Sequence, residues 1–107
     1  MNIINLTDHV INIITNDNQL AIDPSGEVAR VSVNNEYTGM INDLIPVFQQ
    51  TTGDVQGLPD PVVDTIFIVS TQVRLALSDR MDLFSPANLI RNDQGQPIGT
   101  DGLIGNY

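Results

Sequence analysis

The 107-residue chain is 41% hydrophobic but has only three Phe, two Tyr and no Trp, so it can build one modest aliphatic core and not two. It contains no cysteine, which excludes disulfides, thiolate metal sites and thiol nucleophiles. Thirteen carboxylates against four arginines and no lysine give a formal net charge of −9, which disfavours nucleic acid and anionic membranes as partners.

Asn2 to Leu6 and Val10 to Thr15 are expected as short strands. The polar Asn16-Asp17-Asn18-Gln19 turn then leads into a third, Leu20 to Ile22, closed by Asp23-Pro24-Ser25-Gly26. Glu27 to Val33 alternates: Ala29, Val31 and Val33 share one face, and Val28, Arg30 and Ser32 the other. That placement predicts a partly sheltered Arg30 with a partner. Glu36 to Ile41 and Ile45 to Thr51 read as a hairpin around Asn42-Asp43-Leu44, and Gly53 to Asp64 as an irregular crossing rich in Gly and Pro. Thr65 to Val69 has no polar residue after its first and is expected to be the central strand. Thr71 to Ser78 is the one expected helix, N-capped by Ser70. Short segments follow at Leu83-Phe84 and at Ala87 to Arg91, where the turn Asn92-Asp93-Gln94-Gly95 reverses the chain into Gln96 to Gly99. The sum is a single mainly β (α+β) domain over residues 1–107. It is a small antiparallel sheet or barrel with one helix packed on it, and the Gly-rich tail 100–107 is expected to fray.

Candidate chemistry is sparse. His9 is the only histidine; it can act as a general base oriented by Asp8 or Asp82, but the plainer expectation is a turn residue whose ring bonds a backbone carbonyl. Ser70 stands at a strand-to-helix handover without the flanking glycines of a nucleophile elbow, so the N-cap role accounts for it. That handover also offers N–H groups to an anion, with Ser70, Thr71 and Gln72 adding side-chain donors. Arg80 lies two residues from Asp82 and Arg91 two from Asp93, so internal ion pairs are their first use. Should an anionic ligand bind, Arg30, Arg80 and Arg91 are the candidates, whereas Arg74 is expected to reach solvent. No catalytic set, metal-ligand spacing or cofactor motif is present: Asn92 to Gly95 lacks the downstream glutamate of a calcium loop.

Five segments carry a resemblance: NLTDHVINI (Asn5 to Ile13), IDPSGEVARVSV (Ile22 to Val33), TTGDVQGLPDP (Thr51 to Pro61), TIFIVSTQV (Thr65 to Val73) and DLFSPANLIRNDQGQPIG (Asp82 to Gly99). In these pieces and their order, the chain is similar to a group of small uncharacterised proteins met in phage genomes, prophages and some actinobacteria. It departs from them at Asp8, where that group tends to carry proline. The resemblance implies a mobile-element setting and a host-cytoplasm location. No signal peptide is expected either, since Met1 to Leu6 carries no positive charge and no long apolar run, and no segment approaches the length of a membrane span.

These observations lead to the expectation of a non-enzymatic, phage- or prophage-encoded binding protein without cofactors. Its partner would be a host protein or a small anionic ligand, as for a counter-defence factor that sequesters a signalling nucleotide, and an edge strand such as Glu27 to Val33 would serve to complete a homo-oligomer. The alternatives are a structural virion accessory protein and, third, a hydrolase built on His9 and a nearby acid.

Overall fold

The computed structural model describes residues 1–106. Among them, ten strands and one helix follow the order β1 (Asn2–Asn5), β2 (Ile11–Ile14), β3 (Gln19–Ile22), β4 (Arg30–Ile41), β5 (Ile45–Gln56), β6 (Thr65–Ile68), α1 (Thr71–Ala76), β7 (Leu83–Pro86), β8 (Leu89–Arg91), β9 (Pro97–Thr100) and β10 (Leu103–Gly105). Two four-stranded sheets, β1-β6-β7-β10 and β3-β2-β9-β8, are joined by the β4-β5 hairpin, which stands as a sheet of its own. The domain is mainly β with a single short helix. Its pairings are antiparallel for β2-β3, β4-β5, β7-β10 and β8-β9, whereas β1-β6, β6-β7 and β2-β9 run parallel.

The apolar run of β6 makes it an inner strand, with Phe67 and Ile68 buried and Val69 following them. A strand buried on both faces needs no alternation. Leu6, Ala29, Phe67, Val69, Val73 and Leu83 form the core cluster, and Val31, Val55 and Leu58 pack against it from the base of the hairpin. Ser70 caps α1 as its sequence position predicts: its Oγ accepts from the Val73 N–H at 3.3 Å. The helix stops at Ala76 rather than Ser78. The Asn106 side-chain amide then takes up the carbonyls of Arg74, Leu77 and Arg80 at 3.0–3.1 Å. The closing tail is thus tied down rather than frayed, with Leu103–Gly105 paired to β7 and Asn106 capping the helix; Tyr107 lies outside the described residues.

The hairpin is longer than its sequence suggests. Asn34-Asn35 and Gly53 look like breaks, yet both lie within 12-residue strands that pair from Arg30↔Gln56 to Ile41↔Ile45. Irregularities at Val31/Val33 and Tyr37/Gly39 absorb the mismatch in register. At the tip, Asn42 and Asp43 take φ of 53° and 54°, and the Leu44 N–H donates to the Ile41 carbonyl at 3.1 Å, as a type I′ turn asks. At the base, Gly57 has φ +80°, and a Cβ there would lie 2.5 Å from the Val28 carbonyl oxygen. The arm stretches the molecule to 55 × 40 × 26 Å with a radius of gyration of 16.9 Å, against roughly 13 Å for a compact chain of this length.

Candidate functional site

The β1–β2 turn is built around Asn5, a buried polar side chain. Its Nδ2 donates to the His9 and Ile22 carbonyls, both at 2.9 Å, and its Oδ1 accepts from Thr7 N at 2.9 Å and Thr7 Oγ1 at 2.6 Å. Thr7 Oγ1 also lies 3.0 Å from the His9 carbonyl. The Leu6 N–H donates to Ile68, and the Leu6 carbonyl accepts from the Ala29 N–H. These bonds fix the turn against β6 and against the approach to β4, with Asp8 and His9 outward on its rim.

Beside this turn lies an open cleft of about 580 Å³. The Asp8-His9 turn, the Val28–Val31 segment, the Val69–Gln72 handover and Pro86–Leu89 enclose it, with Leu6, Ile11 and Val28 supplying apolar wall. A second hollow of about 390 Å³, floored by Asn12 and Pro97–Thr100, adjoins it and shares His9, Ile11, Pro86 and Leu89. The cleft therefore runs across the seam between the two sheets.

Four of the six candidate residues meet there: His9, Arg30, Ser70 and Thr71. The His9 ring places Nδ1 3.0 Å from Asp8 Oδ1, so its partner is a neighbouring carboxylate rather than the backbone carbonyl expected. That hydrogen bond is the main cause holding the exposed Asp8 below the usual carboxylate range, with a smaller contribution from the Arg30 charge. Ser70 is spent on its cap, and α1 is a single short turn and a half.

The other arginines face inward duties. Arg80 makes a bidentate pair with Asp82, Nε–Oδ1 and Nη2–Oδ2 both at 2.8 Å, and its Nη2 also reaches the Pro59 carbonyl at 3.2 Å. The two side chains are only 20% and 16% exposed, and this hydrogen bonding lowers the Asp82 pKa and raises that of Arg80. Arg91 Nη1 donates to the Gly95 carbonyl at 2.8 Å, not to Asp93, because Asn92 Oδ1 already folds the turn by accepting from the N–H groups of Gln94 and Gln96. Neither Arg80 nor Arg91 borders the cleft. Arg74, expected to reach solvent, instead bonds buried Ser85 Oγ at 2.8 Å and Asn106 Oδ1 at 3.2 Å. Arg30 departs from expectation the other way. It is exposed, and it is the one arginine among the described residues whose guanidinium donates no hydrogen bond within the chain.

The residue that composition and spacing miss is Asn5. Its only sequence signal is an Asn two residues before a Thr, the pattern of a side chain that folds its own turn. Compared with known proteins, the chain matches no family model, curated protein or solved structure. No described helix is long and apolar enough to cross a membrane.

Proposed function

We propose that this chain is a non-enzymatic binding protein that takes a small anionic ligand, of the class of a signalling nucleotide, into the cleft beside the Asp8-His9 turn. The observation that carries the reading is Arg30: three arginines are committed to acceptors inside the chain, while the fourth stands on the cleft uncommitted. A guanidinium in that state is suited to a bidentate phosphate or carboxylate. Thr71 and Gln72 add donors beside it, and Leu6, Ile11, Val28 and Leu89 offer apolar surface for a base. The volume falls in the range of small-molecule sites. The concave shape favours a ligand over a flat acidic patch for a basic host protein. With the motif resemblance, the setting proposed is a phage or prophage protein acting in the host cytoplasm, as a counter-defence sponge would.

Isothermal titration calorimetry against a panel of linear and cyclic nucleotides tests this. Binding is expected for one member, weakened about tenfold or more by Arg30→Ala, the loss of one charge-assisted contact, and unchanged by Arg91→Ala. No binding by any member, or loss on Arg91→Ala equal to that on Arg30→Ala, overturns it. The β4–β5 arm, on which Tyr37, Leu44 and Phe48 are exposed, favours a second reading, a virion accessory protein. Its presence in purified particles would support that reading and its absence would remove it.

A further inference from the structure

We infer that the distal β4–β5 arm is an assembly surface, covered by the arm of a second copy of this chain, whatever the cleft holds. Beyond the Val31–Val55 pair that packs on the core, the hairpin continues without a third strand to its turn. Two strands alone are marginal in water. The register places Tyr37, Met40 and Phe48 on one face of the arm and Ile41 and Ile45 on the other. With Leu44 at the turn, which is 80% exposed, all six are more than half exposed. Tyr37 and Phe48 touch edge to face at 6.1 Å, a contact that leaves both rings open to solvent. An arm apolar on both faces has no side suited to water.

Area and charge select the occupant. Face to face, a second arm covers Tyr37, Met40 and Phe48 with Leu44 at the turn, on the order of 400 Å² per partner, about half the ~800 Å² of a standard interface and the size of a weak, concentration-dependent dimer. Between Glu36 and Asp54 the only charged residue is Asp43, in the turn. A basic host protein would select acidic surface, of which the chain has much elsewhere, so the neutral arm is matched to another neutral strip. Its own copy supplies one, as an isologous two-fold contact requires. Each chain carries −9, of which only Glu36 and Asp43 lie on the arm between Asn34 and Thr52, and this opposes contact between bodies. The eight strand residues from Asn34 to Ile41 carry the contact from roughly 10 Å out at Tyr37 to roughly 25 Å at the turn, about one to three Debye lengths at physiological salt.

Sedimentation velocity of the full chain is the test, from about 1 to 100 μM, the range in which an interface of this size associates, at low and high salt. A dimer, or a closed multiple of it, is expected, with its dissociation constant changing less than about threefold between the two salts. Phe48→Asp and Met40→Asp, on one face of the arm, are each expected to weaken it at least tenfold while the far-ultraviolet circular dichroism keeps its wild-type form. Leu75→Asp, an exposed leucine on α1, leaves it unchanged. A monomer throughout the range overturns the inference. So does assembly that the arm variants do not weaken, or a monomer that floats with phosphatidylcholine vesicles through the arm.

Discussion

Replacing Asn5 by alanine tests how far one side chain holds the cleft wall. The substitution removes four hydrogen bonds at once. Two losses are softened: Thr7 Oγ1 can still donate to the His9 carbonyl at 3.0 Å, and that bond serves both groups. What remains is the buried Thr7 N–H without an acceptor and the Ile22 carbonyl short of a donor. An orphaned buried N–H costs about 1–3 kcal/mol and the second lost bond about 1 kcal/mol, so with the vacated volume the total is about 2–5 kcal/mol. Against a stability of about 5–15 kcal/mol for a domain of this size, Tm should fall by about 10–25 °C. Urea denaturation followed by circular dichroism reads the loss, with the m-value unchanged if only stability has moved. Asn5→Asp is the sharper arm. It keeps the shape but sets carboxylate oxygen against two carbonyls now 2.9 Å from Nδ2, so the introduced carboxyl has a raised folded pKa. A raised acid destabilises above that pKa and recovers as pH falls toward its unfolded value. This variant should therefore be at least as unstable as Asn5→Ala at pH 7 and gain on it near pH 4. A loss below about 1 kcal/mol for Asn5→Ala, or no pH dependence in the difference between the variants, would refute the reasoning.

Three further outcomes follow from the geometry. The Arg80 hydrogen bonds depress Asp82, so its contribution is present above its unfolded value of about 3.9 and is lost as pH falls through the lower folded value. Asp82→Asn should cost about 1–3 kcal/mol at pH 7 and flatten the acid limb of the stability curve below about pH 4, as acid titration followed by circular dichroism would show. Asn106→Ala strips one amide from three helix-end carbonyls and from Arg74; about 1–2 kcal/mol is expected, with hydrogen exchange rising in α1 and β10 ahead of β6. Gly57→Ala meets both a positive φ and the Val28 carbonyl, so it should cost about 2–4 kcal/mol in a denaturant melt, whereas Gly95→Ala, also at positive φ but in open space, should cost about 1 kcal/mol.

What was legible in the sequence was local. Ser70, the apolar run of β6 and the Asn92 turn each announce themselves within a few residues, because a cap, a buried strand and an Asx turn are short-range events. The arm was legible only in pieces. Asn34-Asn35 and Gly53 are poor strand formers; the two asparagines persist because Thr51 and Gln50 stand opposite them in register, while Gly53 falls in the irregularity between Val31↔Val55 and Val33↔Thr52. The arginines were legible as a group but not one by one. Arg80–Asp82 is encoded by a two-residue spacing, while Arg74 depends on Ser85 and Asn106, 11 and 32 residues away. Arg30 was placed on the right strand face but expected to be paired. Its freedom follows from where the cleft opens, which is a property of the two sheets together.

The cleft and the fold share their supports, and this limits how the site can change. Asn5 organises the turn that carries Asp8 and His9, and the same peptide run bonds to β6 and to the residue preceding Arg30. Moving the rim therefore means moving the core, since Leu6, Ala29 and Val69 line the cleft and belong to the core cluster. Side chains at Arg30, Thr71 and Gln72 are exposed and make no such bonds, so they can vary with little cost to stability. If the cleft selects a ligand, selectivity should lie in these three and affinity in the rigidity of the wall beneath them. Substituting Gln72→Ala should then change which nucleotide is preferred without moving Tm by more than about 2 °C, whereas Asn5→Ala should lower affinity for all of them alike. Calorimetry paired with thermal melts separates the two, and a uniform loss on Gln72→Ala would show that the exposed rim is not what discriminates.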